Sequence, residues 1–295
     1  MFRPGKSPGW RGALLAVLAF AGGAPAFADT VAVTYSAAGQ TAPDYTAICA
    51  NTVVCVYGTE NFTGWTGANP FTSTFKDGGS GTYNQPAGVT FNGSYAAAPG
   101  TTTGTGGEWI SVPQNEYGGV SGQTYPELFG SPNVGLTNLS TYTLTLSSTG
   151  VPGTNYFGIW ISALDPYNDL RLYDGTTLVA EFNSADLVAD LGSCPSASNP
   201  YCGNPTPEFN GNDPGELFAY VNVFDLNGYI SSVQFSDSGD TGFESSNHAV
   251  AYVDPIHETG TLVTPVPEPG AAAVFSVGLL GLAAAGRGRV SLTQA

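Results

Sequence analysis

The stretch LRLYDGTTLVAEF at residues 170–182 contains two short runs, LRLY and LVAEF, that are rich in apolar residues. Short runs of this kind, bounded by turn residues, are typical of β-strands. Asp174 and Gly175 lie between the two runs, and an Asp-Gly pair in this position is a strong signal for a tight turn between antiparallel strands. We therefore predict a β-hairpin here.

Similar runs recur along the chain, separated by Gly, Pro, Asn and Asp. The clearest lie at residues 31–37, 141–148, 156–164, 217–226, 230–236 and 249–253. Short strands with regular turn signals are typical of an all-β antiparallel sandwich. We expect no amphipathic helix between residues 29 and 264. Residues 59–132 are glycine-rich and loop-like, and they form either a decorated face of the same sandwich or a poorly ordered region.

The N-terminal segment has three basic residues before an apolar run at residues 13–21, which is followed by Ala26 and Ala28 in an A-x-A motif. A basic head, a short apolar middle and a small-residue exit are typical of a secretory signal peptide. The run is too short to span a bilayer. We predict that residues 1–28 are a signal peptide read by Sec-type export machinery, with cleavage after Ala28. A buried core helix is the alternative.

The C-terminal segment at residues 270–286 has no charged side chain and consists mostly of Ala, Val, Leu and Gly with Phe. Its length is at the lower limit for a membrane-spanning helix. Arg287 and Arg289 follow, and positive flanks remain on the cytoplasmic side. We expect a transmembrane helix with the preceding domain on the exported side.

The segment before this helix, Val266-Pro267-Glu268-Pro269, stays extended because two prolines bracket the carboxylate. Val-Pro-Glu-Pro, an apolar helix and terminal arginines together resemble the PEP-CTERM sorting signal of exopolysaccharide-producing Gram-negative bacteria. The resemblance implies that an exosortase, a membrane-embedded cysteine transpeptidase, recognises this motif and processes the chain there. It also implies a cell-surface or matrix location after transient anchoring in the inner membrane. Residues 265–295 are then the sorting signal and 29–264 the exported domain, with a plain tail anchor as the alternative.

The exported domain is strongly acidic. The chain has 23 acidic and seven basic residues, and the terminal segments hold Arg3, Lys6, Arg11, Arg287, Arg289 and one carboxylate, Glu268. Lys76 and Arg171 therefore remain against 22 carboxylates, a formal charge of −20. Such a surface repels phosphate backbones, which excludes nucleic-acid binding. It attracts divalent cations, neutral glycans or basic partners.

Four cysteines in an exported chain indicate disulfides. Of the three possible pairings, the one between sequence neighbours, Cys49 with Cys55 and Cys194 with Cys202, suggests itself. A zinc site is disfavoured because the chain offers neither a C-x-x-C spacing nor a nearby histidine.

Five aromatic or glycine-containing motifs follow one another in the second half of the chain. They are YFGIW at 156–160, YN at 167–168, YDG at 173–175, YVNVF at 220–224 and GFESSNHAV at 242–250. This order is similar to a recurring ectodomain of exosortase-dependent surface proteins, and the similarity implies a jelly-roll-like sandwich. The last motif of that ectodomain reads aromatic-Glu-x-Asp-Asn, and Ser246 stands here in place of the Asp.

The chain contains no G-x-S-x-G or H-E-x-x-H motif. With 22 carboxylates in the exported domain, some pair always lies at a separation suited to glycoside hydrolysis, so such a pair carries little weight. We predict a non-enzymatic protein.

Asp237, Asp240 and Glu244 crowd one predicted loop. Calcium takes oxygen ligands from carboxylates and backbone carbonyls, which loops supply. These three residues are our candidate Ca²⁺ ligands, with solvated acidic turns as the alternative. No other cofactor is indicated.

Trp65 in FTGWTG and Trp109 in GGEWIS lie in glycine-rich surroundings. An exposed ring there is able to stack on a sugar, so both are candidate glycan contacts, and local hydrophobic plugs are the alternative. Trp160 lies in an apolar run and is predicted to be core.

These observations predict an exported surface or matrix protein that binds a polysaccharide or another partner within the exopolysaccharide matrix. A purely structural matrix or coat component is the alternative, and a secreted glycoside hydrolase is the third hypothesis.

Overall fold

A computed structural model describes residues 30–76, 78, 80–83, 88–101, 103, 108–120, 122–130, 140–239, 241–257 and 261–263. The predicted signal peptide, its cleavage site and the sorting signal lie outside these residues. The described part forms two antiparallel β-sheets that pack as a sandwich. The prediction of an all-β antiparallel sandwich is therefore confirmed.

The first sheet, sheet A, has nine of the described strands. They are β1 (Val31–Tyr35), β2 (Val54–Glu60), β4 (Ser80–Tyr83), β6 (Trp109–Pro113), β7 (Thr124–Phe129), β9 (Tyr156–Ser162), β12 (Ala219–Asp225), β14 (Gly242–Asp254) and β15 (Thr261–Val263). Their order is β15-β1-β12-β9-β14-β2-β4. β7 pairs with the first residues of β14, and β6 pairs with β7.

The second sheet, sheet B, has six described strands. They are β3 (Phe71–Ser73), β5 (Thr90–Ala97), β8 (Ser140–Thr149), β10 (Asn168–Asp174), β11 (Thr177–Asn183) and β13 (Ser232–Asp237), in the order β11-β10-β13-β8-β5-β3. β10 and β11 form the hairpin predicted from LRLYDGTTLVAEF, with Asp174 paired to Thr177. Gly175 adopts the positive φ that the turn requires.

The core lies between the inner faces of the two sheets. Phe157, Ile159 and Val221 of sheet A meet Leu144 and Phe235 of sheet B in one cluster of buried side chains. Each large apolar side chain removed from water contributes about 1.5–3 kcal/mol to stability. Trp160 is buried on the outer face of sheet A, in a second cluster, so its assignment to the core is confirmed.

The expectation that residues 59–132 are loop-like is wrong for much of this region, because β3 to β7 lie within it. In β5 the side chains of Phe91 and Tyr95 point to the core and Gly93 occupies the inward position between them. A Cβ at Gly93 would meet Leu144 and the ring of Phe75. Glycine therefore stands at an inward position that a larger side chain could not occupy, and this hides the alternating pattern.

The expectation that no helix interrupts the strands is also wrong. Helix α1 (Tyr45–Ile48) has four residues, and helix α2 (Ser184–Leu191) has eight. In α2 the side chain of Asn183 accepts from the backbone of Asp186, and the Asp186 side chain accepts from the backbone of Asn183. This reciprocal capping box satisfies backbone donors at the start of the helix.

Both predicted disulfides are present, Cys49–Cys55 and Cys194–Cys202. The first joins the end of α1 to β2, and the second closes a loop after α2. Across the described residues, the structure contains no helix of sufficient length and apolar character to cross a bilayer.

Candidate functional site

The two tryptophans proposed to contact a glycan are buried. Trp109 is fully enclosed and its ring stacks on Tyr142, with 4.8 Å between centroids. Trp65 is 4% exposed and its ring lies 4.9 Å from that of Trp109, while its indole N–H donates to the carbonyl of Ala68. A sugar stacks only on an exposed ring face. The expectation that these rings are exposed is thus corrected, because both are buried against other aromatic side chains.

A Ser-His contact also lies in the core. The Nε2 atom of His248 is 3.0 Å from Oγ of Ser245, and its Nδ1 is 3.2 Å from the hydroxyl of Tyr95. The imidazole stacks on Phe235 and has no exposed surface. Burial lowers the pKa of His248 to about 3, so the ring is neutral. These contacts form a buried polar network that holds strands together and that a substrate does not reach.

The three predicted calcium ligands are not brought together among the described residues. Asp237 is fully buried on sheet B, where its two carboxylate oxygens accept from the backbone N–H groups of Gly130 and Gly239. Asp240 lies outside the described residues. Glu244 lies on sheet A. Both carboxylate oxygens of Asp237 thus already accept a backbone hydrogen bond, and the calcium site of these three residues stays a prediction.

Glu244 instead belongs to a row of three polar side chains on the outer face of sheet A. It lies directly opposite Glu127 of β7 and directly opposite Ser162 of β9. All three are buried. The two carboxyl groups share a hydrogen bond, which requires a proton on one of them. Burial, followed by the charge of Glu127, raises the pKa of Glu244 well above its usual value, so Glu244 is the donor.

Three further carboxylates extend this row. Asp165 follows β9, accepts a backbone hydrogen bond from Gly242, and its charge raises the pKa of both glutamates of the row. Burial, then the charges of Asp165 and Asp213, raises the pKa of Glu216 to about 7. We define the acidic cluster as Glu127, Asp165, Asp213, Glu216 and Glu244.

Several buried oxygen atoms of this cluster have no hydrogen-bond partner within the part of the chain that the structure describes. They are Oε2 of Glu244, Oε2 of Glu216, Oδ2 of Asp213 and, beside them, Oγ of Ser162. Buried polar atoms normally find a partner. The described residues contain two ion pairs, and both belong to Arg171 on sheet B. The acidic cluster therefore combines negative charge with buried oxygen atoms that have no described hydrogen-bond donor.

The carboxylates of the acidic cluster are not grouped closely enough to bind a metal ion by themselves. Within the part of the chain that the structure describes, no three His, Cys, Asp or Glu side chains are grouped closely enough to hold a metal ion. An ion at this cluster would need hydroxyl, carbonyl or water oxygens in addition to carboxylates.

A polar groove of about 180 Å³ lies elsewhere on sheet A, between β1, β12 and the segment that leads into α1. Its lining residues are Thr34, Tyr35, Ser36, Gln40, Asp44, Ala47, Ile48, Asn222 and Phe224. We call it the Asn222 groove. Asn222 is held by the hydroxyls of Tyr156 and Ser36. Gln40 and Asp44 are exposed at its rim.

The rim side chains retain hydrogen-bonding capacity. Asp44 caps α1 through Oδ1, which accepts from the backbone N–H groups of Thr46 and Ala47. Gln40 accepts from Ala37 N–H through Oε1, which leaves its amide NH₂ group as a donor. The groove thus presents planar amide and carboxylate groups, the type of side chain that binds sugar hydroxyls.

A second groove of about 290 Å³ lies where β2 and β4 approach β5. Lys76, one of the two basic residues of the predicted exported domain, lies at its edge and Phe75 and Phe91 at its base. Its lining is more apolar than that of the Asn222 groove.

Comparison of the chain with protein-family models and with curated proteins gives no match. The residues of the acidic cluster and of the Asn222 groove are therefore assigned from their geometry alone. Sequence reasoning selected Glu244 but missed Glu127, Ser162, Glu216 and Asn222. Glu127 lies within the short apolar run YPELF, and a carboxylate in such a run was the available signal.

Proposed function

We propose that this chain is an exported surface or matrix protein, non-enzymatic, whose sandwich binds a neutral polysaccharide in the Asn222 groove. One observation carries the proposal. The groove is lined by amide, hydroxyl and carboxylate groups and by few charges, on a domain whose overall charge repels anionic polymers. Neutral sugar hydroxyls are the ligands that suit such a lining.

Export is supported by two features. The disulfides Cys49–Cys55 and Cys194–Cys202 are stable in an oxidising compartment. The sequence motifs at both ends resemble a signal peptide and a PEP-CTERM signal processed by an exosortase. We infer a location at the cell surface or in the exopolysaccharide matrix. The arrangement of two antiparallel sheets supports the jelly-roll-like resemblance.

The proposal of a non-enzymatic role rests on the two best candidates for catalysis. The Ser245–His248 contact is enclosed in the core. The carboxyl groups of Glu127 and Glu244 touch each other, whereas retaining and inverting glycosidases hold theirs about 5–9.5 Å apart.

The test is binding to neutral polysaccharides immobilised on an array, using the full-length chain exported to a bacterial periplasm and purified in mild detergent. The variant Gln40→Ala/Asp44→Asn should reduce affinity about tenfold or more, because rim donors and acceptors are lost, a change of about 1.4 kcal/mol. Asparagine preserves the helix cap, so the melting temperature should be unchanged.

The matched control is Gln234→Ala/Asp174→Asn, which makes the same two changes on sheet B. It should bind as the unmodified chain does. Equal affinity of the groove variant and the control would contradict the site. An absence of binding to any polysaccharide would instead favour the structural role in the matrix, and release of reducing sugar would favour the hydrolase.

A further inference from the structure

The row formed by Glu127, Glu244 and Ser162 is unusual for a sheet. Two carboxyl groups lie directly opposite each other on adjacent strands, an arrangement in which like charges destabilise pairing. Burial makes it more costly, since Glu244 is 4% and Glu127 9% exposed. The described ion pairs involve Arg171 on the other sheet, so no described Lys or Arg compensates the row. The proton that the two carboxyl groups share offsets part of this charge, and the remaining negative charge has no described basic partner.

The unmatched oxygens in this row are hard ligands. Oε2 of Glu244 is buried without a hydrogen-bond partner, and so is Oγ of Ser162, which lies opposite it on the third strand. Three adjacent strands thus place oxygen-bearing side chains side by side on the outer face of sheet A. Carboxylate oxygens of Glu244 and Glu127 both lie against Gly242, because a Cβ there would collide with them.

We propose that the row binds one divalent cation of the calcium type, with Glu127 and Glu244 as charged ligands and the Ser162 hydroxyl as a neutral one. Calcium accepts carboxylate, hydroxyl, backbone carbonyl and water oxygens in flexible geometry. It therefore does not need three acidic side chains in a tight group, which the described residues do not provide. Asp165 adds negative charge beside the row without being required as a ligand. This inference goes beyond the proposed function, because it does not depend on glycan binding.

The proposed ion would act on the fold. β7 is joined to β14 through the three pairs Gly242–Phe129, Phe243–Leu128 and Glu244–Glu127. A cation bound to both glutamates would replace the proton that they share and would hold β6 and β7 to the rest of sheet A. Binding to the folded state alone raises the melting temperature as the ion concentration increases.

The test measures calcium binding by equilibrium dialysis and the melting temperature of the full-length exported chain after treatment with EDTA. Millimolar CaCl₂ should bind one ion per chain and raise the melting temperature. NaCl at the same ionic strength should not raise it to the same degree, since screening is not site binding.

Glu244→Gln is the decisive variant, because glutamine has the same shape and donates to Glu127, so the fold is preserved. It should reduce calcium affinity about tenfold or more, as one of two charged ligands is removed. Glu127→Gln should do the same. Asp174→Asn removes an exposed carboxylate from sheet B and should leave the affinity unchanged. The proposal is overturned if calcium does not bind, if NaCl gives an equal shift, or if Glu244→Gln responds to calcium as the unmodified chain does.

Discussion

Two pairs of ionisable side chains face each other across neighbouring strands, one pair on each sheet. On sheet B, Arg171 lies opposite Glu181, donates to it from Nε and Nη2, and also contacts Asp169 at 2.8 Å. Arg171 and Glu181 each retain about a third of their side-chain exposure. On sheet A, Glu127 lies opposite Glu244, and both are buried. The registers are equivalent, but the charges are opposite on one sheet and alike on the other.

The difference shows that strand register alone does not determine whether a charged side chain stabilises or destabilises a sheet. A solvated pair of opposite charges changes the free energy of unfolding only slightly. A buried carboxyl pair has lost its hydration and lacks a cationic side chain, so it needs a proton or a bound ion. Variants that remove each pair measure how much the two pairs differ in their contribution to the free energy of unfolding.

The largest effect is expected from Glu127→Met/Glu244→Met. In EDTA at neutral pH, we expect the free energy of unfolding to rise by about 1–4 kcal/mol, because two desolvated acids are replaced by apolar side chains of similar length. Urea denaturation followed by tryptophan fluorescence measures this change.

The matched control for this variant is Arg171→Met/Glu181→Met. We expect it to change the free energy of unfolding by no more than about 1 kcal/mol, since the pair is partly solvated. A loss of stability in the sheet A variant would contradict the comparison, because it would mean that the carboxyl pair is favourable without any ion.

A smaller effect is expected from the pH response of Glu216. Its folded-state pKa is raised from 4.5 to about 7 by burial and by Asp165 and Asp213, so the folded state holds its proton more tightly than the unfolded state does. The resulting stabilisation is fully present below the unfolded pKa and is lost as the pH rises through about 7. Glu216 is only half-buried, so we expect about 1 kcal/mol.

Thermal or urea unfolding in EDTA between about pH 5 and pH 8 tests this, with Glu216→Gln as the variant. The stability of the unmodified chain relative to the variant should fall as the pH rises. If Glu216→Gln and the unmodified chain have the same pH dependence, Glu216 does not hold its proton as described.

Much of the fold could be predicted from local patterns. The β10–β11 hairpin followed from two short runs on either side of the Asp174-Gly175 turn, and both disulfides followed from sequence spacing. β5 could not be recognised, because Gly93 occupies an inward position where tertiary contacts exclude a side chain. Helix α2 was missed because it has only eight residues, too few for its apolar period to stand out, although a capping box marks its start.

The sites were harder to predict because they depend on which strands become neighbours. Glu127 and Glu244 are far apart in the chain, and only the pairing of β7 with β14 brings them together. Trp65 and Trp109 illustrate the opposite error. Glycine-rich flanks suggested exposure, yet the two rings are buried and pack on each other. Local composition does not determine burial when contacts are long-range.

The smallest effect is expected from Glu181→Gln, and its salt dependence gives the finest contrast between the sheets. The variant keeps a hydrogen-bond acceptor for Arg171 but removes the charge, so we expect a loss of about 0.2–1 kcal/mol at low ionic strength. The loss should diminish in about 1 M NaCl, because the pair is partly exposed and is screened over about 3 Å. The effect of Glu127→Met/Glu244→Met should persist at the same salt concentration, since the acids it replaces are buried. A salt-independent loss in Glu181→Gln would mean that Arg171 and Glu181 behave as a desolvated pair, and the contrast between the two rows would then lie in the sign of their charges rather than in their exposure.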